Sequence, residues 1–397
     1  MSEPIGTEGL EGEDVVAGVP FSVLSKTVAI DILVHGARSR AQLTKSMGLS
    51  AATLTRLVKP LLEAGVLVET DPIRRPGRGR ASLALDVVAD SYRFVGVKLT
   101  TDSIYAVVTD LRSQVLETHV RPVPSLEAAD VVEAVGEIVA ELRSRTDRPL
   151  DAVGVTVGGA VDAGEIVADS PFMHWHDVAL KALLSKRLDI PVHLDNDVVG
   201  LTQAQHWFGY GRGCADFALF TVGAGIGYGL VLNNEMIPTG VLPVSHLPID
   251  PSGPLCHLGH RGCTTAYLTS NAVTSAVSAV FGRSVGYDEV VSLAAAGEPV
   301  ARRVVDEAAG ALGQAAAAIT SLTGVRRIIL SGEGIHLAVT ARQALEDGLN
   351  RYAGPRGSRT ELVIRPMDFL EWARGAATIA IQGEFPCPPA TRRPASS

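Results

Sequence analysis

The chain has 397 residues, of which 46% are hydrophobic, 20% charged and 5% aromatic, and its formal net charge is −8. That length exceeds one hydrophobic core and predicts two or three domains. No stretch reaches the run of uncharged apolar residues needed to span a bilayer, and the start "MSEPIGTEGLEGEDVV" lacks the basic and apolar regions of a signal peptide, so membrane and secreted classes are set aside and a cytoplasmic location is expected.

Charge is distributed unevenly. Residues 1–19 are acidic and glycine-rich and are expected to be a disordered tail, as are residues 386–397. Between Pro20 and Leu85 the basic residues Lys26, Arg38, Arg40, Lys45, Arg56, Lys59, Arg74, Arg75, Arg78 and Arg80 face only Asp31, Glu63, Glu69 and Asp71. A basic segment on an acidic remainder points to a nucleic-acid reader joined to a body that does not touch nucleic acid.

Within residues 20–88 the apolar spacing is helical three times. A stripe over residues 28–33 stops at Gly36. "SRAQLTKSM" follows, with Ser39 as N-cap and Gly48 as its end. "LSAATLTRLVKPLLEAG" then places Leu54, Leu57, Val58, Leu61 and Leu62 on one face behind the N-cap Ser50, leaving Ala52, Thr53, Thr55, Arg56 and Lys59 on the other. Pro60 lacks the amide that would bond the Arg56 carbonyl, so a kink is expected there. "VLVET" and "ASLAL" read as short strands joined by the basic loop "RRPGRGR", a wing whose arginines Arg74, Arg75, Arg78 and Arg80 can follow phosphates or enter a minor groove. Two helices joined by a glycine-containing turn, the second exposing small polar and basic residues, have the geometry of a winged helix-turn-helix. An ordinary three-helix bundle would show amphipathic helices too; the wing separates the two readings.

From residue 90 onward strands and helices alternate. "YRFVGVKL", "IYAVVTDL", "AVGVTVGG", "PVHLDND", "DFALFTVG", "GLVLNN", "RRIILSG" and "TELVIRP" read as strands. "LEAADVVEAVGEIVAELRSR" sets Val131, Val132, Val135, Ile138, Val139 and Leu142 on one helical face, and "AAGALGQAAAAITSLTG" is apolar all round, hence buried. This is an α/β body, large enough for two lobes with a cleft. In "CHLGHRGC", two cysteines and two histidines share eight residues. Four cysteines in all, Cys214, Cys256, Cys263 and Cys387, are too few for a disulfide framework, so in a reducing compartment the close pair reads as metal ligands before a redox pair, with a metal-free polar loop as the plain alternative.

"GVTVGGAVD", "LDNDV", "FTVGAGIGYGLVLNN" and His246 followed by "CHLGHRGC" occur in the order found in the ROK family of repressors and sugar kinases, which the chain resembles over almost its whole length. The resemblance implies a two-lobed sugar-kinase-like body of the actin and hexokinase type behind an N-terminal winged helix-turn-helix. It places the reader at 20–88, one lobe at 90–198 with 368–385, and the other at 199–367. It also implies that Gly159, Asn196, Asp197 and His246 contact an effector, with Asp197 at the place of the kinases' base.

Departures from the family pattern carry information. In "GVKLTTDS", Lys98 stands where the kinases have an aspartate, and Thr100 and Thr101 stand where they have phosphate-cradling glycines, which argues against phosphoryl transfer. The series Gly223, Gly225, Gly227, Gly229 is not a dinucleotide fingerprint and reads as a tightly packed strand pair. Pro243 and Thr265 replace two acids that hold sugar hydroxyls. The family's zinc pattern aligns His246, Cys256 and Cys263, but its middle cysteine is Leu258. Either the metal is lost, or water fills the gap, or a neighbouring histidine substitutes, His260 having a longer reach than His257. A structural zinc held by His246, Cys256, His260 and Cys263 is the expectation. Together these features predict a non-enzymatic regulator, a repressor of carbohydrate metabolism that binds duplex DNA as a homodimer and responds to a sugar or sugar derivative. The rivals are a carbohydrate kinase with an added reader and a regulator that has lost its sugar input.

Overall fold

The computed structural model describes residues 21–70, 83–238, 243–352 and 360–385. The N-terminal unit contains α1 (Val23–His35), β1 (Arg38–Ser39), α2 (Arg40–Met47), α3 (Ala51–Glu63), β2 (Leu67–Thr70) and β3 (Ala84–Val87). Each helix begins at a serine whose hydroxyl accepts a hydrogen bond from the amide three residues on: Ser22 from Ser25, Ser39 from Gln42 and Ser50 from Thr53. At Ser39 the Gln42 side chain also accepts from the Ser39 amide, completing a capping box. Helix α2 ends at Gly48, as its sequence predicts.

Helix α3 buries Leu54, Leu57, Val58 and Leu61, leaves Leu62 half-buried and runs on through Pro60. Strand β3 pairs antiparallel with both β1 and β2. The wing arginines Arg74, Arg75, Arg78 and Arg80 and the expected tails lie outside the described residues.

The body continues with β4 (Phe94–Leu99), β5 (Ser103–Thr109), β6 (Val115–Pro122), α4 (Ala128–Arg145), β7 (Ala152–Val157), β8 (Ala160–Asp162), β9 (Ile166–Ser170), β10 (Trp175–Val178), α5 (Leu180–Arg187), β11 (Val192–Asn196) and α6 (Asp197–Phe208). One sheet has the order β11-β7-β4-β5-β6, with β7 and β11 parallel to β4 and the remainder antiparallel. The stripe on α4 that begins at Val131 is buried against it, as its periodicity predicts. Strands β6, β8, β9 and β10 are not among the apolar runs read from the sequence; β6 is too evenly mixed, with half-buried and exposed residues in strict alternation.

The second half contains β12 (Phe217–Val222), β13 (Ile226–Leu232), β14 (Glu235–Ile237), α7 (Thr264–Leu268), α8 (Ser270–Phe281), α9 (Tyr287–Ala295), α10 (Pro299–Thr323), β15 (Arg327–Ser331), α11 (His336–Thr340), α12 (Arg342–Tyr352), β16 (Glu361–Ile364) and α13 (Phe369–Glu384). Its sheet has the order β14-β13-β12-β15-β16. The alanine-rich α10 is buried against this sheet and α12.

Helices α6 and α13 lie between the two sheets, and their packing brings the halves together. Helix α13 lies on β4 and β7, where Gly96 and Gly154 let it approach; a Cβ on either would meet the Ala373 or Ala376 carbonyl. Helix α6 packs on α13 and β13 and runs through residues 198 and 199, where the sequence reading divides the lobes. A single apolar core joins the N-terminal unit to the body, running from Val28, Leu54 and Leu85 to Phe94, Trp207, Ile381 and Phe385.

Candidate functional site

A cleft of about 270 Å³ opens between the lobes. Strand β4 delivers Lys98, the β7–β8 turn delivers Gly158 and Gly159, and the end of β11 delivers Asn196 and Asp197. The parallel pairing of β11 with β7 sets this arrangement, because it brings Asn196 level with Val157.

Asn196 is the N-cap of α6. Its Oδ1 accepts from the Val198 amide at 2.8 Å and the Val199 amide at 3.2 Å, while its Nδ2 donates to the Gly159 carbonyl at 2.7 Å. Asp197, half-buried, accepts from the buried Lys98 ammonium and from its neighbour's amide at Val198. Lys98 also lies 5.5 Å from the centre of the Trp372 ring, a cation–π contact that offsets part of its desolvation. The lysine that the resemblance puts in place of an aspartate is therefore bonded to the residue it puts at the place of the kinases' base.

Across the cleft, the β12–β13 turn contributes Gly223 and Gly225, and Glu333 accepts from the Ala224 amide at 2.8 Å. The close-packed reading of the glycine series holds for its strand portion: a Cβ on Gly227 or Gly229 would strike Val198 or Thr202 of α6. Phe172, Trp372 and Glu333 line the cleft and are absent from the candidates read off the sequence. Phe172 is 44% exposed and its ring lies near both Gly158 of one half and Gly225 of the other. The only signal for it in the chain is one aromatic in the mixed run "SPFMHWHD", which is too common to single out.

Of the predicted effector contacts, Gly159, Asn196 and Asp197 line the cleft. His246 does not: its ring faces two thiols instead. Its Nδ1 is 3.5 Å from Cys256 Sγ and 3.6 Å from Cys263 Sγ. The donor atoms of His246, Cys256, His260 and Cys263 all lie within 4.8 Å of one another. A tetrahedral zinc with Zn–S of about 2.3 Å and Zn–N of about 2.0 Å has sulfur–nitrogen edges of roughly 3.6 Å, so the two histidine–thiol distances fit that ion.

The turn that assembles this cluster needs its glycines. The Cys256 amide donates to the His260 carbonyl, Gly259 has φ +87° and Gly262 has φ +63° with no room for a Cβ beside Asp250. Leu258, at the missing cysteine, is 62% exposed and takes no part. Burial, then the neighbouring His260 and His257, pushes the His246 ring below its ordinary pKa, while burial pushes the Cys263 thiol up. Thr265 donates to the Ser245 carbonyl and so holds the turn carrying His246. Helix α8 then leads back to the cleft, its Ser270 amide donating to the Gly223 carbonyl.

On the N-terminal unit, Ala52, Thr55, Arg56 and Lys59 are exposed on α3, Thr53 is half-buried and Ser50 caps the helix. Lys59 lies 3.7 Å from Glu63 in an exposed pair, Arg38 and Arg40 are paired to Asp31 and Glu69, and Lys26 is buried.

No helix among the described residues is long and apolar enough to cross a membrane. The N-acetylglucosamine repressor of Escherichia coli O6:H1 is 25% identical over 338 residues, covering 80% of this chain and 82% of that protein. Among solved structures, a ROK family transcriptional regulator homologous to the E. coli Mlc protein superposes with a TM-score of 0.79 at 22% identity, covering 92% of this chain and 97% of that one. The ROK hexokinase of Thermus thermophilus superposes with a TM-score of 0.63 at 26% identity, covering 72% of this chain and 97% of the enzyme. The model of the ROK family matches residues 94–382, from the first strand of the body into its last helix, and the chain belongs to that family.

Proposed function

We propose that this chain is a DNA-binding transcriptional repressor, working as a homodimer, in which residues 20–88 form a winged helix-turn-helix and the ROK body senses a small molecule. The observation that carries this reading is the exposed face of α3, where Ala52, Thr55, Arg56 and Lys59 stand in solvent just after a glycine-containing turn from α2. The second helix of such a pair enters the major groove and presents its N-terminal residues to base edges. Ser50, Ala52, Thr53, Thr55 and Arg56 are then the base-proximal set, Lys59 meets phosphate, and Arg74, Arg75, Arg78 and Arg80 of the wing contact the backbone or minor groove. A dimer matches a two-fold operator.

The effector site is the cleft, with Gly159, Asn196 and Asp197 as contacts and a sugar or sugar derivative as ligand, in keeping with the relative's name. Phosphoryl transfer is disfavoured because Asp197 is committed to Lys98, Glu333 holds the Ala224 amide, and the carboxylates of Asp102, Asp197 and Glu333 face a single ammonium around the cleft. Zinc, held by His246, Cys256, His260 and Cys263 in a closed site, would brace the loop that leads into α7 and α8. One observation favours a second reading, a regulator without sugar input: the Asn196 amide and the Asp197 carboxylate are already bonded within the protein.

The test is selection of duplexes from a random pool with the full-length protein. Binding is expected to fall steeply with salt. Arg56→Ala should cost about 1–3 kcal/mol on the selected sequence and little on random DNA, whereas Arg78→Ala should weaken both alike. Failure to enrich any sequence would sink the reading, and ATP-dependent sugar phosphorylation abolished by Asp197→Asn would install the kinase in its place.

A further inference from the structure

Among the described residues two polar contacts tie the N-terminal unit to the body: Arg112, after β5, donates to the Asp86 carboxylate of β3, and a clasp at the far end of α6 holds α1. Arg212, in the turn after α6, donates from Nε to the Val34 carbonyl at 2.5 Å and from Nη2 to the Leu33 carbonyl at 3.5 Å. These carbonyls belong to the last turn of α1, where a helix has four acceptors without intrahelical partners and where its dipole favours a cation. The Gly36 amide takes the Ile32 carbonyl, and Arg212 takes the next two.

The turn that carries Arg212 is itself pinned to α6. The amides of Gly209 and Gly211 both donate to the Gln205 carbonyl, the Tyr210 amide donates to the Gln205 side chain, and Gln205 is buried. Helix α6 therefore ends in a turn that cannot swing independently of it. At its other end the same helix begins in the cleft, with Asn196 bonded to Gly159 and Asp197 paired with Lys98. Its length of 12 residues amounts to about 18 Å at 1.5 Å per residue. Trp207, near the far end, is buried in the core shared with α1 and α3, and α1 packs directly on both α3 and α6.

We propose that Arg212 is the positioning residue through which α6 transmits the state of the cleft to α1, and through α1 to the exposed face of α3. The proposal rests on the reading of the N-terminal unit as the DNA reader. Any change that alters the bonding of Asp197 or Asn196 shifts or tilts the start of a rigid helix. The clasp converts that displacement into a change in the seat of α1. Helix α13 offers a competing route, since Phe369 and Trp372 line the cleft while Ile381 and Phe385 join the shared core. The experiment must separate the two.

A duplex selected with the wild-type protein serves as probe, and the cleft is perturbed without a ligand by Lys98→Met and, independently, by Asp197→Asn. Each is expected to change the Kd of the full-length protein for that duplex by about fivefold or more, a typical allosteric coupling. In the Arg212→Ala background the same changes should shift Kd by less than about twofold, and Arg212→Lys should restore part of the response. Hydrogen exchange of the full-length variants supplies a readout independent of DNA: the cleft substitutions should alter protection in α1 when Arg212 is present and not when it is absent. An equal response with and without Arg212 assigns the coupling to α13 and overturns the proposal, as does the absence of any response in either background. Failure of the wild-type protein to select a duplex would sink the DNA-reader reading instead, while the exchange measurement would still decide whether α6 couples cleft to α1.

Discussion

Single residues in this protein carry opposite consequences according to what surrounds them. Asp195 precedes the two cleft residues on β11 and is half-buried, its Oδ1 accepting from the Asn196 amide at 2.7 Å. Burial pushes its carboxyl up to about 6, against the smaller opposing effect of that hydrogen bond. The folded-state value lies above the unfolded one, so as pH rises the unfolded chain ionises first and folding is weakened across the interval from about 4 to 6. Asp195→Asn should therefore raise unfolding free energy at pH 7 by about 1–2 kcal/mol and leave it unchanged at pH 3, as urea denaturation at the two pH values will measure. A loss of stability at pH 7 would contradict this account. Lys98 is the converse case: its charge is buried but met by Asp197 and the Trp372 face, so removing the Asp197 carboxylate leaves an uncompensated ion.

At the scale of elements, the loop from His246 to Cys263 is anchored on the core at Leu247 and Ile249, but its tip has no such hold, since Leu255 and Leu258 both stand out in solvent. Its order comes from glycine turns, the hydroxyls of Thr264 and Thr265 on the carbonyls of the preceding turn, and the four convergent donors. Protein purified without a histidine tag is expected to hold about one zinc per chain, and His260→Ala and Cys256→Ser should each weaken zinc binding by at least about tenfold. Elemental analysis checks this; a negligible zinc content with both thiols freely titratable in the native state would leave a metal-free loop. Neighbouring α7 and α8 would lose protection on chelation, because the loop leads directly into them.

For the whole molecule, the continuous core between the N-terminal unit and the body matters more than any surface pair. Phe385 is 1% exposed, its ring meets Tyr92 edge-on with centroids 5.4 Å apart, and the same cluster reaches Val28 and Leu54. The N-terminal unit and the first sheet are expected to unfold as one cooperative unit. Phe385→Ala should cost about 3–5 kcal/mol and lower the melting of both together. Differential scanning calorimetry resolving an unshifted N-terminal transition in that variant would show that the unit stands alone.

The sequence by itself determined the three N-terminal helices with the caps Ser39 and Ser50, the principal strands of both sheets, the ROK assignment and the Cys/His cluster. The helices and strands rest on signals that act within a few residues, helical period and hydroxyl-to-amide bonds three residues apart, while the ROK assignment and the cluster rest on the order and spacing of short motifs, His246 standing ten residues before Cys256. Only the tertiary structure decided that Lys98 pairs with Asp197, 99 positions away, that His246 turns to the thiols and not to the cleft, and that Arg212 clasps α1 across 178 positions. Those contacts depend on the register of β11 against β7 and on the seating of α6 and α13 between two sheets. Burial shared by distant segments sets that geometry, and no local pattern in the chain encodes it.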